Sequence, residues 1–153
     1  MESLHPRVRL LWAGRAAVSA LVLAGLVVLV DRFLLDIPMA LVAAGWAALA
    51  LLGAGHAVLS HRIWRFSLDD DALFLVRGVV TRTDTSVPYV RVQHVDTTRG
   101  PIERAAGLAS VVVYTAGTRG ADITIPGLRP ERATELRERL RDLAGESEAT
   151  DAV

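Results

Sequence analysis

"VQHVDTTRGPIERAAGLASVVVYTAG", residues 92–117, is the stretch on which the fold turns. It opens and closes on β-branched runs, with Gly100-Pro101 and then Ile-Glu-Arg-Ala-Ala-Gly-Leu between them. β-Branched side chains pack well on a pleated sheet and are stiff in a helix, so both runs read as strands, 89–97 and 109–117. The valines of the second suit a central position. In the first, the apolar phase slips between Val92 and Val95, which a bulge accounts for. Residues 100–108 form a break with one helical turn. His94 and Asp96, two apart on one strand face, raise the question of a metal or a catalytic pair. Turn chemistry explains the same residues more simply: Gly, Pro and Asp are what a corner between two strands uses. An Asp96–Arg104 ion pair, or Asp96 capping the local turn, would pin that corner. Asp96, Gly100, Pro101, Arg104 and Gly107 are therefore assigned structural roles.

Outward from this corner the pattern stays sheet-like. "IWRFSL" (63–68) alternates, with Trp64, Phe66 and Leu68 on one face. Asp69-Asp70-Asp71 is a tight turn, "ALFLV" (72–76) returns, and Arg77-Gly78 turns again. "VVTRTDTSV" (79–87) is threonine-rich and polar on both faces, which places it at an edge, and Pro88 ends it. Downstream, 118–120 turns the chain and 121–127 returns it. Ala133, Leu136, Leu140 and Leu143 then follow helical spacing behind Pro130, with Gly145 as the stop and Glu135–Arg139 spaced for a surface pair. Residues 146–153 are polar and small and are expected to be disordered. Six strands followed by one amphipathic helix is an α+β order, with the helix covering one sheet face.

Upstream, two apolar runs dominate: Leu10–Val30, interrupted by Arg15, and Ile37–Leu59, interrupted by His56. Each has about 21–23 residues and would be roughly 31–35 Å long as a helix, matching a bilayer core of ~30 Å. The arginines at 7, 9 and 15 resemble the basic start of a signal peptide, but "VLVDRFLLDIP" offers no small-x-small cleavage site and a second run follows at once. Neither run has the polar face of a solvated helix. The short link at 31–36 makes the spans an antiparallel hairpin. Ala16, Ala20 and Ala24, facing Ala40, Ala44 and Ala48, would let the helices approach. Trp12 and Phe33 fall at the ends of the first span, and Arg15 can snorkel to the interface. Arg7, Arg9, Arg15, Arg62 and Arg65 flank one side of the hairpin and Arg32 the other, so the positive-inside rule puts both termini in the cytoplasm. The expected divisions are a cytoplasmic segment 1–9, the hairpin 10–60, a cytoplasmic domain 61–145 and the tail 146–153.

Composition bounds the chemistry. The chain has 153 residues and a formal net charge of zero, so no global basic field points to nucleic acid. Every basic residue other than histidine is arginine, which removes a P-loop lysine and Schiff-base chemistry. With no cysteine, disulfides, thiolate nucleophiles and cysteine metal sites are excluded.

Pro88, Arg91, Gln93, Val95, Asp96, Gly100, Pro101, Arg104, Gly107-Leu108-Ala109 and Thr115-Ala116-Gly117, with Pro126-Gly127-Leu128 further on, resemble the bacterial pleckstrin-homology-like membrane family labelled YdbS-like. The resemblance covers nearly the whole chain, hairpin included. It implies a two-helix transmembrane hairpin followed by a PH-like antiparallel β-barrel or sheet capped by one C-terminal helix. It brings no catalytic residue and no cofactor. Members often occur with a larger protein carrying several such domains, which implies a heteromeric membrane complex.

The sharper readings weigh less. His94 and Asp96 lack third and fourth metal ligands, since His5, His56 and His61 lie in or beside the membrane runs. Asp69-Asp70-Asp71 lacks the spaced oxygens of a calcium loop. Ser110 and Thr115 have no pairing with His94 that would make a nucleophile. Where lipid-binding relatives of the fold carry a basic first loop, this chain carries three aspartates, which repel a phosphorylated headgroup. Arg77, Arg82, Arg91, Arg99, Arg104 and Arg119 remain as a rim facing a partner or anionic lipid. The reading is a membrane-anchored, non-catalytic interaction or scaffold subunit in a bacterial cell membrane, touching the bilayer and either a related multi-domain PH-like membrane protein or a second copy. The alternative is a sensor of anionic lipid, and an enzyme or transporter subunit comes third.

Overall fold

The structure, a computed structural model, describes residues 1–34, 37–116 and 122–151. Two long helices come first, α1 (Arg7–Leu34) and α2 (Met39–Ile63), both long and apolar enough to cross a membrane. Their leucines and valines face outward all around: Val18, Leu21, Leu23 and Leu26 on α1 and Leu49, Leu51 and Leu52 on α2 are exposed. A helix packed in a water-soluble core buries one face and a solvated helix is polar on the other. Neither description fits, whereas lipid does.

The hairpin closes on small residues. Ala20 is buried and Ala16 and Ala24 are half-buried, as expected for α1. On α2 the expected Ala40, Ala44 and Ala48 are exposed instead, and the inward line runs through Val42, Ala50, Gly53 and Ala57. Gly53 lies so close to the Ala16 side chain that a Cβ there has no room. An alanine-rich helix carries several small stripes, and packing selects the one with the glycine.

Among the described residues, seven strands make two antiparallel sheets. β1 (Glu2–Ser3), β2 (Arg65–Leu68), β3 (Ala72–Arg77) and β4 (Thr83–Pro88) pair in that order. β5 (Val92–Thr98), β6 (Ala109–Thr115) and β7 (Asp122–Leu128) form the second sheet with β6 central. Among the described residues the two sheets are not closed into a barrel. The expected bulge is present, as a register shift between Val92 and His94 on β5. A short helix, α3 (Pro101–Ala106), joins β5 to β6, and α4 (Pro130–Asp151) packs on β5, β6 and the 3-10 turn Tyr89–Arg91. Ala133, Leu136 and Leu140 of α4 are fully buried against Val95, Val111, Val113 and Ile125.

Four further sequence expectations change. The strand of 79–87 starts only at Thr83, because Gly78 takes φ +99 and opens a loop. The segment expected as a disordered tail from 146 is helical to Asp151: one glycine costs a helix about 1 kcal/mol, and the preceding turns of α4 have already met the cost of nucleation. Glu135 pairs with Arg132 at 3.1 Å rather than with Arg139. Residues 1–9 are no separate segment. β1 adds to the edge of β2, Leu4 and Val8 are core residues at 2% exposure, and Arg132 on α4 pairs with Glu2.

Candidate functional site

The strands run up and down, and this sorts their connections to two ends. α2 delivers the chain to Arg65, which pairs with Val76, so the β3–β4 loop 78–82 lies at the end where the helices leave. β5 also ends there, because α3 packs against α1, as does β7, where Gly127 accepts a hydrogen bond from His5 N at 2.9 Å. We call this end the base. The β2–β3 turn, Asp69–Asp71, and the start of β5 lie at the far end, about 20 Å away along a six-residue strand.

This sorting separates the arginines. Arg77 and Arg82 flank the base loop, and Arg82 pairs with Asp84 at 3.3 Å. Arg99 and Arg104 flank the α3 corner at the base. Arg91 stands at the far end, at the opposite end of β5 from Arg99. Arg119 lies outside the described residues. The three aspartates are at the far end with Tyr89, whose hydroxyl donates to Asp69 O at 2.8 Å. Burial, then the Asp69 carboxylate, pushes the Tyr89 phenol up from its ordinary value.

The corner is built around a residue the sequence reading did not single out. Glu103 reaches back from the first turn of α3 to accept from Gly100 N at 2.8 Å, and its other oxygen accepts from Ser110 Oγ at 2.5 Å. Glu103 thus ties the helix start to buried β6. A Glu three residues beyond a helix start is half of a capping box, and that spacing was the available signal. Pro101 occupies the first turn. Gly107 ends α3 at φ +66, a conformation glycine adopts without strain, while Leu108 N donates to Glu103 O at 2.8 Å. Asp96 does not reach Arg104; it pairs with His94 Nε2 at 2.8 Å, beside the Tyr114 ring. Both members are about half exposed, so the pair adds little stability. Among the described residues no cluster of three His, Asp or Glu side chains is placed to hold a metal.

Two surfaces remain. The outer edge of β4 is unpaired among the described residues, with Thr83, Asp84 and Ser86 exposed. At the base, a cleft of ≈ 580 Å³ opens between α1 and the α3 corner. Val80 on the base loop and Ile102 on α3 are exposed at 92% and 67%.

A lipid-facing helical hairpin bearing an antiparallel-sheet domain covered by a C-terminal helix defines the class as a membrane-anchored PH-like protein. The chain belongs to the bacterial PH domain family, whose model matches residues 14–144, from within α1 almost to the end of α4. It is 38% identical over 84 residues to the UPF0699 transmembrane protein YdbS of Bacillus subtilis (strain 168). That match covers 55% of this chain and 51% of the relative, so the chain spans about half of that protein's length. No solved structure matches the chain.

Proposed function

We propose that this bacterial membrane protein is a non-catalytic interaction module that docks a second membrane protein, either a related multi-domain PH-like protein or another copy of itself, on the cytoplasmic side. The observation that carries the reading is the β4 edge. Alternate residues of β4 turn their backbone donors and acceptors away from β3, on a sheet tethered within a few residues of the bilayer by α2. An extended segment of a partner adds to such an edge by main-chain hydrogen bonds. The membrane tether confines the search to two dimensions and raises the effective concentration of any partner in the same membrane. The test is mild-detergent extraction of the full chain with a photocrosslinking residue at Ser86. A stoichiometric membrane protein that co-purifies and crosslinks from that position supports the reading. Recovery of the chain alone with enriched anionic lipid sinks it.

One observation favours the second reading, a membrane-surface sensor. Val80 and Ile102, both exposed, are each flanked by arginines at the base, Arg77 with Arg82 and Arg99 with Arg104. Each arginine near an anionic surface contributes about 1 kcal/mol. Salt-sensitive change in the lipid exposure of Val80, read by a fluorophore there, separates this reading from the first.

A further inference from the structure

The depth of α1 in the bilayer is set by the domain. Val8 is in the core and Leu11 and Trp12 pack against it, so the first turns of α1 belong to the domain rather than to lipid. From Arg15 to Leu34 the helix rises about 30 Å, the thickness of a hydrocarbon core. Arg15 therefore stands at headgroup level on the domain side, not buried within the span.

The cleft between α1 and α3 opens at that level. Leu11, Trp12, Arg15 and Val18 line it from α1, and Ile102 and Glu103 from α3. Most of this wall is apolar. Its two charges differ in availability. Glu103 already accepts from Gly100 N and Ser110 Oγ, whereas Arg15 has no hydrogen-bond or ion-pair partner among the described residues. An unpaired guanidinium above an apolar slot, at the height of lipid headgroups, is complementary to a molecule with a phosphate at one end and an acyl chain at the other.

We propose that this cleft seats one anionic phospholipid, its phosphate on Arg15 and its acyl chain descending along Val18 and Ile102. The exposure of Ile102 then has a physical account: the side chain lies against acyl chain rather than water. The site is formed jointly by a spanning helix and the α3 corner, at the opposite end of the domain from the Asp69–Asp71 turn. It does not depend on the protein-docking reading, since the lipid occupies the base and the partner the β4 edge.

The test uses the full chain in vesicles, with Trp12 as reporter. Trp46→Phe removes the tryptophan exposed on the membrane hairpin, and Trp64 is shielded in the core, so Trp12 reports from the cleft wall. Brominated phosphatidylglycerol and brominated phosphatidylcholine are titrated separately into a plain phosphatidylcholine bilayer, and quenching of Trp12 is followed. Brominated phosphatidylglycerol is expected to reach half-quenching at a mole fraction about fivefold lower, the effect of one basic group near anionic lipid. Arg15→Gln should abolish the difference and Arg15→Lys should keep most of it, which separates charge from folding. Ile102→Ser, at an exposed position, should weaken quenching by both lipids. Coincident curves in the parent, or a preference that survives Arg15→Gln, would overturn the proposal.

Discussion

Gly127 on β7 faces Val8 on α1 so closely that a Cβ on the glycine would lie 2.6 Å from both Cβ and Cγ2 of the valine. The contact joins the domain to its membrane helix, and His5 N donates to Gly127 O beside it. Gly127 also holds φ +66, which a side chain resists. Gly127→Ala should destabilise the protein by about 2–4 kcal/mol, combining left-handed strain with overpacking. Thermal unfolding in detergent measures this. In a double-mutant cycle, Val8→Ala should recover only part of the loss, because it removes the two Cγ contacts but leaves its own Cβ against the new one and leaves the strain.

Glu103 and Ser110 are expected to behave as one unit. Ser110 is 4% exposed and its hydroxyl donates to Glu103, so Glu103→Ala strands a buried donor and removes the tie to Gly100 N. The expected cost is about 1–3 kcal/mol. Adding Ser110→Ala to that variant should cost little more or recover part of the loss, since no unpaired hydroxyl then remains. Fully additive losses in chemical denaturation would contradict the coupling.

The elements read well from sequence where one physical signal dominated. Trp64, Phe66 and Leu68 alternate, and the structure turns all three toward the core. The spacing of Ala133, Leu136 and Leu140 gave the face of α4. The slip at Val92 gave the bulge. What stayed illegible depends on contacts distant in sequence. Leu4 looks like any leucine ahead of a membrane span, yet it is core because β1 adds to β2 more than sixty residues later. The partner of Asp96 was misread because Arg104 is near in sequence, whereas strand geometry points the carboxylate along its own face to His94. The cleft at Arg15 was invisible for the same reason: α1 and α3 become neighbours only through the fold.

His5 should make stability depend on pH. Its ring Nδ1 accepts from Arg7 N at 3.2 Å, which requires the neutral form at that nitrogen. Burial, then Arg129, Arg7 and His61 nearby, lowers its pKa from 6.5. The unfolded chain therefore binds the proton more readily than the folded one. This contribution is complete above 6.5 and is lost as pH falls through the window just below it. His5→Asn keeps an acceptor for Arg7 N without titrating. The difference in unfolding midpoint between parent and His5→Asn should be constant above neutrality and move against the parent as the pH drops below that value. A difference independent of pH would remove His5 from the account.

Topology follows from the sheet as well as from charge. Residues 2–8 and α4 belong to one domain, tied by β1 on β2 and by Glu2 to Arg132, so the start of α1 and the end of α2 lie on the same side of the membrane. The positive-inside rule applied to the arginine flanks predicts that this side is the cytoplasmic one, and labelling tests it. The native sequence has no cysteine, so single cysteines report cleanly. Cysteine introduced by Pro38→Cys, at the hairpin tip, should react with a membrane-impermeant maleimide in cells with the cytoplasmic membrane intact. Val80→Cys, on the exposed base loop, should react only after lysis. The reverse pattern would invert the protein and move the β4 edge and the Arg15 cleft to the outer face. Labelling at both positions in intact membranes would contradict a spanning hairpin altogether.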